Sequence, residues 1–151
     1  MASRLVRLFA LLDGFKWERF LDVGGAEGMI SRMVRDRYGA ASAWVEPALW
    51  SYGLLRAAEP HGLAFPVAHC ATVPMGGYLL GGGLGYNHDN WGTFACDSIM
   101  AAEVVLASGE TVIASADSNP DLYWALRGSG TGFFGVVTRY QLQLYRAPAA
   151  V

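Results

Sequence analysis

Charge is scarce in this chain: Asp, Glu, Lys and Arg together make up 16% of 151 residues, and 13 acids against 11 bases leave a net charge of -2. Without a basic excess there is no electrostatic footprint for nucleic acid. Cysteine is scarcer still. Cys70 and Cys96 are the two present, too few for a disulfide framework, although their spacing leaves a single bridge open. No apolar run reaches the roughly 18 residues of a membrane-spanning helix, because glycine or charge interrupts each one. Near the N-terminus Asp13 and Lys16 follow "LFALL" before the about 7 to 15 apolar residues of a secretion signal can accumulate. These shortages point to a cytoplasmic, membrane-free domain.

What the chain has in quantity is apolar residues, 53% of the total, and 19 glycines. That is enough to build one buried core. The first 20 residues carry apolar side chains at helical spacing (Leu5, Leu8, Phe9, Leu12), "FLDVGGAEG" reads as a strand entering a glycine turn, and "GMISRMVRDRY" can continue as helix. "SAWVEP" is a short strand stopped by Pro47. "ALWSYGLLRAAEPHG" has helical spacing ended by Pro60 and Gly62, and "GLAFPVA" is extended.

The second half is plainer. "AAEVVLASGETVIASA" is two apolar runs joined at Ser108 and Gly109, a hairpin pattern. In "DSNPDLYWALRG" Ser118 or Asn119 can cap a helix, Pro120 and Asp121 suit its first turn, and Gly128 suits the left-handed position at its end. "GVVTRYQLQLYR" alternates: Tyr140, Leu142 and Leu144 share one face, and Arg139, Gln141 and Gln143 the other. Hairpin, helix and strand in this order predict an α+β fold with antiparallel pairing.

Several motifs can be weighed by their context. "GTGFFG", residues 130–135, has the letters of the dinucleotide fingerprint G-x-G-x-x-G, but a helix precedes it and a strand follows, the reverse of what brings a pyrophosphate to a helix N-terminus. "FLDVGGAEG" with Glu46 downstream resembles the first motif and ribose-binding acid of S-adenosylmethionine methyltransferases, although nothing after residue 60 supplies the further βα units of that fold. His61, His69, Cys70 and His88 lack the paired spacings of a zinc site, so no metal is expected. Neither a G-x-S-x-G elbow nor a phosphate loop is present. The stretch "HCATVPMGGYLLGGGLGYNHDN" remains. Gly76, Gly77, Gly81, Gly82, Gly83 and Gly85 remove six side chains, which fits a backbone lying against a flat ligand and fits tight internal packing equally well.

A resemblance bears on that choice. "GLAFPVAHCATVPMGGYLLGGGLGYN", "DSIMAAEVVLASGETVIASADSNPDLYWALRGSG" and "GFFGVVTRYQLQLY", together spanning about residues 60–147, resemble the FAD-binding domain of the vanillyl-alcohol oxidase/p-cresol methylhydroxylase superfamily, particularly its berberine bridge enzyme-like oxidases. "ISRM" and "AWVEPALW" extend the likeness back to residue 30. The resemblance implies a partial PCMH-type α+β fold over residues 30–147, mainly its second subdomain, and leaves the origin of the N-terminal segment 1–29 open, with a tail at 148–151. It also implies FAD as cofactor, substrate giving hydride to the flavin and oxygen reoxidising it.

By the same resemblance Cys70 can form a thioether to the flavin ring. Thr72, Gly76, Gly77, Gly81, Gly82, Gly83, Gly85 and Asp97 would line the cofactor, and Gly135 with Val136 would meet its adenine end through the backbone. The R-x-G-G-H segment whose histidine makes a second flavin bond in bicovalent members has no counterpart in this chain; "DVGGAEG" has the glycines alone. Pro74 stands where the family has glycine, fixing φ and removing an N–H. The expected role is therefore the FAD-binding portion of an oxidoreductase, inactive in isolation, its substrate unspecified and its missing subdomain open to supply by another chain. The alternatives are a structural remnant that binds no cofactor, or a methyltransferase-like N-terminal piece joined to flavoprotein sequence.

Overall fold

A computed structural model describes residues 21–23, 34–35, 41–85, 88–91 and 94–148. The helix expected over the first 20 residues, the glycine turn after Val23 and most of the 29–38 segment lie outside them. Strands β1 (Leu21–Val23), β2 (Val34–Arg35) and β3 (Ala41–Val45) come first, followed by helix α1 (Ser51–Ala58), a 3-10 turn (Glu59–His61), β4 (Leu63–Ala64) and helix α2 (Met75–Leu80). Helix α3 (His88–Trp91), a second 3-10 turn (Ala95–Ser98), the β5 (Ile99–Val105) and β6 (Thr111–Ser115) hairpin, helix α4 (Pro120–Leu126), a 3-10 turn (Gly130–Gly132) and β7 (Val136–Arg146) complete the order.

The strands form one sheet in the order β1-β3-β7-β5-β6, with β2 added to β3 and β4 to β7. Only β1 and β3 pair in parallel among the described strands; the others are antiparallel. The α+β expectation therefore holds. At residues 34–35 the chain is strand where the sequence pattern suggested helix: Val34 pairs with Ser42 and Arg35 with Ala41. Backbone pairing to a neighbouring strand overrides weak helical spacing.

The central strand β7 is eleven residues long, and its alternation decides where the core sits. Tyr140, Leu142 and Leu144 are buried, while Arg139, Gln141 and Gln143 are half-buried on the other face. Across β3 the core pairs are Ala43 with Leu142 and Val45 with Tyr140. The register against β5 shifts between Ile99 and Ala101 and again between Glu103 and Val104. Those irregularities let Val137 and Tyr140, three residues apart, both face inward. Each fully buried aliphatic or aromatic side chain on this face contributes about 1.5–3 kcal/mol by leaving water.

On the core face lie α1 through Leu54, Ala57 and Ala58, and α2 through Met75 and Leu79. Tyr140 Oη donates to the Gly76 carbonyl at 3.5 Å, which ties α2 to the centre of the sheet. Gly62 ends the α1 region at φ 65, in the left-handed conformation that glycine tolerates. The hairpin turns through Gly109, and Gly128 follows α4 as expected. The cap of α4 differs from the expectation. Asn119 occupies the N-cap position at φ 50, but its side-chain amide donates to the Ile113 carbonyl at 2.8 Å and caps nothing.

Candidate cofactor-binding site

The site begins where α1 and the loop before α2 meet. The first amides of a helix have no partner within it. Here Ser51 N–H and Oγ–H both donate to the Val73 carbonyl at 3.0 Å, and Tyr52 N–H donates to the Ala71 carbonyl at 2.9 Å. Those bonds hold the loop's backbone and leave the side chains of Cys70 and Thr72 exposed. Pro74, at φ -67, leads into α2, whose Met75 and Gly76 amides donate to the Leu49 and Pro47 carbonyls at 2.8 Å. The ring's fixed φ suits this position, and the amides beside it are already occupied.

Cys70 Sγ and Thr72 Oγ1 are hydrogen-bonded at 3.4 Å. The Thr72 side chain, helped by its backbone, stabilises the thiolate and holds the Cys70 pKa below that of an ordinary thiol. Cys96 is the opposite case. Its thiol is buried, and burial together with the Asp97 charge pushes its pKa up, against a smaller opposing effect of Arg127. Both thiols are free, so the bridge that spacing left open is not formed.

The glycines divide into two kinds. A Cβ on Gly76 would lie 2.8 Å from the Pro47 Cβ, one on Gly83 2.8 Å from the Tyr78 ring, and one on Gly85 2.8 Å from the Val67 carbonyl oxygen. Gly135 would meet Val104 at 2.6 Å. These four are glycine because neighbouring atoms fill the space. Gly77 and Gly82 face open space instead. The two readings of the run are thus both present: packing at some positions and an approachable backbone at others.

At the far end of α2, Gly82 and Gly83 take φ values of 99 and 73. This turn lets the Gly82 and Gly83 carbonyls accept from the Cys96 and Ala95 amides at 2.9 and 2.8 Å. Tyr78 is anchored beside it, donating to the Pro66 carbonyl at 2.8 Å, with its pKa pushed up to about 12 by burial. The crossing opens a cavity of about 430 Å³ in which Gly81, Gly82, Gly83 and Asp97 come together. Its other walls are Leu84, Phe94, Cys96, Arg127 and Gly128.

Cys70, Thr72, Gly76, Gly77, Gly85, Gly135 and Val136 do not line that cavity. Cys70 and Thr72 sit before α2 and the cavity after it, a separation of about 9 Å of helix. Val136 is exposed at the start of β7. Arg127, Phe94 and Leu84 were not singled out from the sequence, and the signal that could have found Arg127 is its place beside the glycine that ends α4. Its guanidinium lies 4.5 Å from the Tyr123 ring centroid, and its buried Nε has no hydrogen-bond partner. Tyr123 is itself fixed by a 2.6 Å hydrogen bond to the Ile99 carbonyl.

One other motif falls away on geometry. "GTGFFG" forms a 3-10 turn between α4 and β7, with no helix after it. Among the described residues no three His, Cys, Asp or Glu side chains cluster as a metal site would need, and His88 Nδ1 lies 3.0 Å from the Gly85 carbonyl oxygen.

A family model described as FAD binding domain matches residues 28–115. The chain belongs to the FAD binding domain family. It is 37% identical over 124 residues to an FAD-linked oxidoreductase of Penicillium janthinellum, covering 82% of this chain and 24% of that protein. It is 44% identical over 88 residues to the xylooligosaccharide oxidase of Thermothelomyces thermophilus, covering 58% of this chain and 17% of the relative. Among solved structures, the glucooligosaccharide oxidase of Acremonium strictum superposes with a TM-score of 0.66 at 32% identity, over 78% of this chain and 24% of that one. The carbohydrate oxidase of Microdochium nivale gives 0.67 at 35%, over 76% and 24%.

The chain thus spans about a quarter or less of the relatives it matches. The fold is the PCMH/VAO type, and FAD is the family's cofactor. The family match takes in Glu46, and so overlaps the residues that otherwise resembled a methyltransferase.

Proposed function

We propose that this chain holds FAD in an oxidase-like flavin-dependent oxidoreductase, with Cys70 as a thioether anchor for the flavin ring. The observation that carries the reading is the exposed, Thr72-bonded Cys70 thiol next to a helix bearing an open glycine backbone at Gly77. When bound, FAD supplies the hydride acceptor and the route of electrons to oxygen. Cys70 would fix the ring in place: an S–C bond would replace an S–H and a ring C–H, and the two protons and two electrons released would pass to dioxygen as hydrogen peroxide. Thr72 would hold the sulfur as thiolate, and Gly77, Gly81 and Gly82 would let the cofactor approach the backbone. Asp97 would face it from the cavity. Gly76, Gly83, Gly85 and Gly135 would act by keeping the surrounding backbone closely packed, and Val136 would meet the adenine end. Residues that orient substrate would lie outside these 151 residues, in further polypeptide or in a partner chain.

The glucooligosaccharide oxidase of Acremonium strictum has a 6-S-cysteinyl, 8α-N1-histidyl FAD. That supports cysteine as an anchor type for this fold. The test is acid precipitation after incubation with FAD in air. Yellow, acid-stable flavin is expected in the parent and none in Cys70→Ser. Equal acid-stable flavin in both would remove Cys70 from the site.

A further inference from the structure

Strand β6 is an outermost strand of the sheet among the described strands, paired with β5 on one side. An edge strand presents a row of outward N–H and C=O groups to which another strand can bond, and proteins blunt such edges with proline, charge or a bulge. β6 has none of the three. Its sequence is TVIAS, and its register with β5 runs without a shift. Thr111, Val112 and Ile113 are β-branched, and the Ile113 side chain is exposed. A strand of this kind is a template for pairing with a copy of itself.

The chain that follows β6 closes the edge instead. Ser115 N–H donates to the Ser118 carbonyl at 2.7 Å, and the Ser115 carbonyl accepts from Ser118 N–H at 3.3 Å. The Asn119 side-chain amide donates to the Ile113 carbonyl at 2.8 Å and to Ser118 Oγ at 3.4 Å. In an antiparallel ladder every second residue turns both of its backbone groups away from the partner strand, so Ile113 and Ser115 open on the same outer side. The turn and the amide therefore occupy successive edge positions. Asn119 does this against local preference. At φ 50 it is the one non-glycine residue with positive φ among the described residues. An asparagine at a helix N-cap ordinarily accepts from the first-turn amides, and this one is turned to β6 instead.

We propose that Asn119 is a latch on the β6 edge that keeps this domain from pairing, strand to strand, with a second copy of itself. Two copies would meet antiparallel about Ile113, each offering the N–H and C=O that the other needs, and the Asn119 amide occupies the carbonyl such a pair would use. The inference stands apart from the flavin-holding reading.

The experiment is Asn119→Gly in the full 151-residue chain. Glycine accepts φ 50 without strain, so the turn is kept and the amide is lost. Light scattering over a series of protein concentrations is expected to show the variant's mass rising towards about twice that of the parent, with an unchanged far-UV circular dichroism spectrum. Ile113→Pro, added to Asn119→Gly, removes the N–H on the outer side and leaves the bonds to β5 in place, and is expected to return the mass to the parent's. A mass in Asn119→Gly equal to the parent's at every concentration would overturn the proposal. Association that persists with proline at position 113 would overturn it as well, because the contact would then run through a surface other than the β6 edge.

Discussion

Cys70 and Thr72 face each other across 3.4 Å on an exposed loop, while Cys96, the chain's other thiol, is buried beside Asp97. Their environments push the two thiols in opposite directions, Cys70 down and Cys96 up. Thiolate is the reacting form, so iodoacetamide should label Cys70 at a pH where Cys96 stays intact. Thr72→Val removes the hydroxyl and should move the Cys70 alkylation profile to higher pH, whereas Thr72→Ser should keep it. Mass spectrometry of the labelled peptides reads both. Identical profiles for Cys70 in the parent and Thr72→Val would mean that the hydroxyl does not hold the thiolate.

Gly83 and Gly77 should respond differently to the same change. Gly83 combines φ 73 with a Cβ position 2.8 Å from the Tyr78 ring and 2.9 Å from the Ala95 Cβ, so Gly83→Ala is expected to destabilise by about 2–4 kcal/mol in denaturant unfolding. Gly77 lies within α2 and faces open space. Gly77→Ala should leave stability unchanged or raise it by about 0.5–1 kcal/mol through helix propensity. Its effect should appear in FAD affinity instead. Loss of stability in Gly77→Ala with FAD binding untouched would reverse its assigned role.

Local periodicity explains which parts were legible in the sequence. The alternation of Tyr140, Leu142 and Leu144 and the hairpin around Gly109 are set by neighbours two to ten residues away, so they can be read along the chain. The inward turn of both Val137 and Tyr140 cannot, because it comes from a register shift imposed by β5. The glycine run was legible as a place of close approach, but its division was not: Gly76 is shaped by Pro47, and Gly83 by Tyr78 and Ala95. Arg127 escaped notice for the same reason. It lines the same cavity as Gly82 and Gly83, which pair with Cys96 and Ala95 across a separation that no short window contains.

The two faces of β7 supply a direct check on the core. Leu142 is fully buried between Ala43 and Ile99, so Leu142→Asp places a carboxylate where it has neither water nor partner, at an expected cost of several kcal/mol. Gln141, on the opposite face, is half-buried with its amide 3.5 Å from Ser42 Oγ. Gln141→Asp should cost about 1 kcal/mol or less. Thermal midpoints of the two variants compare them, and equal shifts would mean that the faces are assigned wrongly.

Acid should act on that same outer face through Glu103. Burial alone would raise its pKa, but hydrogen bonds from Arg139, at 2.7 Å, and from Thr138, together with the Arg139 charge, hold it below the usual carboxylate value. Arg139 is further placed by the Trp44 ring, 5.7 Å from its guanidinium carbon. A carboxylate with a depressed folded pKa binds fewer protons in the folded state than in the unfolded one. The stability it contributes is therefore present above the unfolded pKa, near 4.5, and is lost as pH falls through the folded value. Glu103→Gln cannot change charge, so its unfolding free energy should depend less on pH than the parent's between about pH 5 and pH 3. At neutral pH it should be the less stable of the two, because Arg139 keeps its charge and loses its partner. Urea unfolding across that range measures the difference. Parallel curves for parent and variant would show that Glu103 titrates alike in folded and unfolded chains, and that its contact with Arg139 adds nothing to acid sensitivity.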